Sequence, residues 1–184
     1  MSEAHAHVDP ANKKVALFIA VLALVLAFAE TLGKGAQTGA LANHIEASNL
    51  WAFFQAKTIR QTTVRTAAEE MEAQFGQRAP EAVKKQVEAW KKTAERYQSE
   101  PETNEGRKEL MARAKEMETK RDRAMSAYHN YEIASAAVQI AIVLASAQII
   151  TGVAALLWIA YALGAVGVVF SLIGFFWPTA VHLF

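Results

Sequence analysis

The sequence predicts an all-α, multi-pass membrane protein with three transmembrane helices and an antiparallel, coiled-coil helical hairpin outside the bilayer. Two features of charge placement carry this reading. No Asp, Glu, Lys or Arg occurs from Ile133 to Phe184 or from Val15 to Ala29, and 17 of the 19 basic residues lie between Lys34 and Arg123. A water-soluble domain spreads its charges around its surface, so runs of this kind point to a bilayer. The third observation is the helix-forming composition of the charged middle, rich in Ala, Glu, Lys, Gln and Arg.

The polar tail 1–14 precedes the first span, 15–32. Its strictly apolar stretch is short of the roughly 20 residues that cross a bilayer, so Glu30, Thr31 and Leu32 complete it with Glu30 at headgroup level. Lys13 and Lys14 before an apolar run also fit a secretion signal. No small-residue cleavage site leads into a globular domain, so the segment reads as a retained span.

The middle, 33–132, has two breaks: Gly76 with Pro80, and the run 99–106. Glycine past a helix end and proline at a first turn form a stop and a restart. Backwards from that break the apolar seam runs Phe75, Met71, Ala68, Val64, Gln61. Forwards it runs Val83, Val87, Trp90, Ala94, Tyr97. Both step by four and three, the heptad spacing. Folding about residue 79 sets Met71 on Val87 and Val64 on Ala94, with the hairpin tip near 76–80. Leu110, Met117, Ala124, Tyr128 and Tyr131 continue a weaker seam that enters the next span as one helix.

The second span is 133–151 and the third 153–177, joined at Gly152, a residue that accepts the left-handed backbone ending a helix. Trp177 closes the third span at an interface, and 178–184 form a tail. Six basic residues flank the spans on the side of the middle segment and two on the other, which places the middle in the cytoplasm.

Leu50, Trp51, Phe53 and Phe54 set apolar side chains around more than one helix face, which points to a subunit or partner interface. In the third span Ala160 with Gly164 and Gly167 with Ser171 match small-xxx-small, the spacing at which membrane helices approach closely. Glu30 and Lys34 stand four residues apart as an interfacial ion pair. The alternative is a ring of Glu30 carboxylates at the mouth of an oligomeric pore, with Gln139 and Ser146 lining a polar permeation path.

No catalytic residue set emerges, and no cofactor or metal site. The chain has no cysteine, so no thiolate nucleophile and no Cys-ligated metal. His5 and His7 alternate in the polar tail without a third ligand. A net charge of +1 leaves no nucleic-acid footprint.

The text AETLGKGAQ (Ala29–Gln37), followed by IEASNLWAFFQAKTIRQT (Ile45–Thr62), resembles a bacterial membrane family known as domain of unknown function 4337. The resemblance covers nearly the whole chain and implies a small multi-pass protein of the bacterial inner membrane. It brings no activity or catalytic residue.

The functional expectation is a non-catalytic oligomeric membrane scaffold or accessory subunit with a coiled-coil interaction hairpin. Its partners are the lipid bilayer, copies of itself and another membrane complex. The alternative is a small homo-oligomeric channel. Self-association is expected to use Trp51 to Phe54.

Overall fold

The computed structural model describes residues 10–181, and these are helical almost throughout. Residues 1–9 and 182–184, with His5, His7 and His182, lie outside the described residues. Helix α1 runs without interruption over Pro10–Phe75, 66 residues. A 3-10 turn at Gly76–Arg78 precedes α2, Glu81–Gln98. Helix α3 spans Arg107–Thr151, 45 residues, and α4 spans Ala154–Phe176. Three of these helices, α1, α3 and α4, are long and apolar enough to cross a membrane. Gly76 and Gly152 take positive φ of 51° and 73°, the backbone that ends a helix where a side chain would be strained.

The chain divides into two compact units, residues 1–40 with 122–184, and Leu41–Arg121. The boundaries fall inside α1 and α3.

In the first unit the buried positions repeat every seven residues along α1: Val15, Leu22 and Ala29. Val15 and Leu22 cluster with Val138, Ala141 and Ala145 of α3 and Ala160 of α4. The buried residues of α4 are Ala160, Gly164, Gly167 and Gly174, while its Trp158, Leu172 and Phe175 point outward. Small side chains inside and large apolar ones outside reverse the order of a water-soluble core and suit helices that pack among lipid tails.

In the second unit α2 lies antiparallel to α1. Gln61 Nε2 donates to the Ala94 carbonyl at 2.9 Å, and Lys91 pairs with Glu72 at 2.6 Å. Ala68, Val87 and Ala94 are buried along this contact. The start of α3 then takes over where α2 stops and, like α2, runs antiparallel to α1. Arg107 bonds Thr58, and Trp51 Nε1 donates to Glu118 at 2.9 Å. The return path is thus two helices in succession, joined by the folded loop 99–106.

Candidate functional site

The densest polar constellation gathers on the loop 99–106. One further step of four back along the seam from Gln61 lands on Lys57, a charged residue at a position the heptad reserves for apolar side chains. Lys57 is only 6% exposed. Its Nζ stands 3.6 Å from Glu100 and 3.7 Å from Glu105, and 5.4 Å from the ring centres of both Phe53 and Tyr97. Two carboxylates and two ring faces replace the water that burial removes.

Arg107 opens α3 beside it. Its Nε donates to Thr58 Oγ1 at 2.9 Å, its Nη1 to Gln98 Oε1 at 2.9 Å and to Gln61 Oε1, and its guanidinium covers the Phe54 ring at 5.0 Å. Glu109 receives the Ser99 hydroxyl at 2.6 Å and the Glu100 backbone N–H at 3.2 Å. A Cβ on Gly106 would stand 2.4 Å from the Glu100 nitrogen, so only glycine fits this close approach. The cluster pins the loop from three helices. It holds its acceptors and cations in mutual pairs, with the Ser99 hydroxyl donated to Glu109.

The Ser99 hydroxyl, ahead of the Glu100 backbone N–H, holds the Glu109 carboxyl below its ordinary value of 4.5. A carboxyl depressed in the folded state contributes stability above its unfolded value, and that stability is lost as pH falls through the folded one. Acidification below pH 4.5 is therefore expected to free the 99–106 amides to exchange sooner than those of α2. Glu109→Gln should remove that difference. Loop exchange that keeps its full acid dependence in Glu109→Gln would show that another group controls it.

A second constellation belongs to the first unit. A groove of about 410 Å³ is lined by residues of α1 and α3, among them Glu30, Lys34, Tyr128, Tyr131, Glu132 and Gln139. Gln139 Nε2 donates to Glu30 at 3.3 Å and to Ser135 at 3.1 Å. The partner that Glu30 takes is thus an amide on another helix. Ser146 sits apart from the groove and returns its hydroxyl to the Ile142 carbonyl at 2.8 Å. Near the groove, Asn130, only 1% exposed, donates to the Pro178 carbonyl at 3.0 Å and so fastens the chain beyond α4 onto α3.

The aromatic segment expected to face a subunit is turned largely into the chain itself. Leu50 is buried with Leu110 and Ala114, and Trp51, Phe54 and Met117 pack against them. Phe53 stays partly open at the rim of the Lys57 cluster. The third-span motif also meets the chain's own helices. A Cβ on Gly164 would approach Leu22 of α1 at 2.9 Å, and one on Gly167 would approach Val138 of α3 at 2.3 Å. Ala160 belongs to the same core, and Ser171 bonds back to the Gly167 carbonyl. Each of these positions thus has a neighbour within one chain.

Lys57, Arg107, Glu109 and Asn130 went unread from the sequence. The signal for Lys57 was its heptad phase; the others depend on contacts distant along the chain. Among the described residues no three His, Asp or Glu side chains converge as a metal set.

No curated protein matches this chain, and no solved structure does. Residues 11–177, which take in the described helices apart from Pro10, match the profile of the domain of unknown function DUF4337, and the chain belongs to that family.

Proposed function

We propose that the protein is a non-catalytic, oligomeric scaffold or accessory subunit of a bacterial inner membrane. It spans the bilayer three times, and the segment 33–132 lies on the cytoplasmic side as a coiled-coil interaction hairpin. The observation that carries the membrane part is the small-inside, large-outside order of the helices. Leu17, Phe28, Val143 and Trp158 all point outward, an arrangement water would penalise and lipid would not.

The oligomeric part rests on the outer face of α1 within Leu41–Arg121. Leu41, Ile45 and Ile59 are 59%, 52% and 67% exposed. Ile45 and Ile59 are two heptads apart, with Ala52 midway, so they form one stripe. This stripe is still open after Trp51 and Phe54 have been used inside the chain. A second copy of the same helix is the simplest cover for it.

The test is mass measurement in mild detergent and in lipid nanodiscs. The wild type is expected as a homo-oligomer that resists alkaline extraction from membranes. Ile45→Asp with Ile59→Asp should lower the mass while helix content is kept. A wild type that runs as a monomer in both media overturns the oligomer. A closed ring with a water-filled axis would favour the channel alternative.

A further inference from the structure

The groove of about 410 Å³ between α1 and α3 has the makings of a ligand site. Its volume falls within the range of roughly 300–1,000 Å³ typical of small-molecule pockets. Its walls bring together carboxylates from two helices, Glu30 of α1 and Glu132 of α3, with the side chains of Tyr128 and Tyr131. Lys34 follows Glu30 by one helical turn on the same wall.

The carboxylates have acceptor capacity to spare. Glu30 takes one hydrogen bond, from Gln139 at 3.3 Å, and Glu132 takes a long one from the Tyr128 hydroxyl at 3.4 Å, with the His129 ring 3.5 Å away. A carboxylate offers about four lone-pair directions. Two such groups beside aromatic rings suit an ammonium that can donate several hydrogen bonds. Lys34 supplies a cation within reach of a group esterified nearby, as a phosphate would be.

Position along the chain adds an independent argument. Glu30 is the first charged residue after the apolar run Val15–Ala29, and Glu132 is the last before the charge-free stretch that begins at Ile133. If the chain spans the bilayer as proposed above, both stand where apolar helix meets headgroups. Lipid ammonium and phosphate groups occupy that level.

We propose that this groove binds the headgroup of an aminophospholipid, a primary ammonium joined to a phosphate, with Glu30 and Glu132 on the ammonium and Lys34 on the phosphate. Two carboxylates against one lysine disfavour a lipid of net negative charge. A trimethylated ammonium has no N–H to donate and loses the charge-assisted hydrogen bonds. The inference rests on the membrane reading, because the lipid must meet the groove at its own depth.

The experiment is native mass spectrometry of the delipidated full chain with added phosphatidylethanolamine, phosphatidylcholine or phosphatidylglycerol. Phosphatidylethanolamine is expected to be retained about tenfold better than either of the others, the effect of one charge-assisted hydrogen bond. Glu30→Gln with Glu132→Gln should bring it down to the phosphatidylcholine level. Equal retention of the three lipids by the wild type, which needs no variant to fold, overturns the proposal. So does selectivity that persists in a well-folded double variant. Free phosphoethanolamine at millimolar concentration should not displace the lipid; if it binds as tightly as the lipid, the ligand is a soluble molecule and the lipid assignment fails. A wild type released by alkaline extraction fails the membrane reading, whereas a membrane-retained protein without lipid selectivity fails this inference alone.

Discussion

Gly167→Ala lowers the thermal midpoint of the intact protein in mild detergent, and Gly35→Ala raises it. Both glycines lie inside helices, where alanine is intrinsically better by roughly 0.5–1 kcal/mol. Only the surroundings differ. The new Cβ at position 35 meets nothing within 4 Å, whereas at position 167 it lands 2.3 Å from Val138 Cγ2 and 3.1 Å from the Ala134 carbonyl oxygen. Val138 is fully buried and branched at Cβ, so it cannot swing aside cheaply, and the carbonyl belongs to the backbone of α3. Overpacking of this kind costs about 1–3 kcal/mol. At about 2–4 °C per kcal/mol for a chain of this size, the loss is readable in a melting curve. Gly167→Leu should separate α4 from α3 outright. A Gly167→Ala protein that melts with the wild type would mean that α4 does not approach α3 at Ala134–Val138.

The second large effect belongs to Lys57. Lys57→Ala removes the cation shared by Glu100 and Glu105 and empties the space between Phe53 and Tyr97. Truncating one member of a fully buried pair costs about 3–5 kcal/mol. Glu105 is half-exposed and Glu100 keeps Arg96 at 3.6 Å, so water and the arginine reduce this to about 1–3 kcal/mol. Lys57→Met keeps the stem between the rings and loses only the charge. Its melting temperature should lie between those of the alanine variant and the wild type. Pairing it with Glu100→Gln should recover stability, because the anion left without its partner is then gone. The measurement is the helical signal at rising temperature, with amide exchange across 99–106 to locate the effect. If Lys57→Ala and Lys57→Met melt together at the wild-type temperature, the buried ammonium does not hold the loop.

Periodicity and charge made the helical elements legible. The apolar runs marked the membrane-length segments, Gly76 and Gly152 marked helix ends that do take left-handed backbone, and the absence of breakers from Arg107 to Thr151 marked one helix through α3. What stayed hidden was choice of partner. A small-xxx-small spacing says that a backbone comes close at Gly164 and Gly167, but the same spacing serves a helix of the same chain or of another. The aromatic text at Trp51–Phe54 was likewise readable as surface needing cover. Its cover is the start of α3, and that depends on where the 99–106 loop releases the chain, a matter of turn geometry at Gly106 and Glu109. Lys57 was hidden by its type: at a seam position a lysine reads as an interruption until Glu100 and Glu105 are seen to enclose it.

The row of Ala and Gly on the inner face of α4 also has a thermal consequence. In a bilayer, parting α4 from its neighbours exposes that face to acyl chains, and no apolar surface becomes hydrated. The heat-capacity increment that bends the stability curve of a water-soluble protein arises from such hydration, so the helix contacts of α4 gain almost none. The Leu41–Arg121 unit exposes Leu50, Leu110 and Trp51 to water when it unfolds, and its stability follows a dome with a cold side as well as a hot one. If the chain spans the bilayer as proposed, it carries two temperature laws: cooling below the maximum of the dome weakens the packing around Leu110 and leaves the packing around Gly167 nearly unchanged.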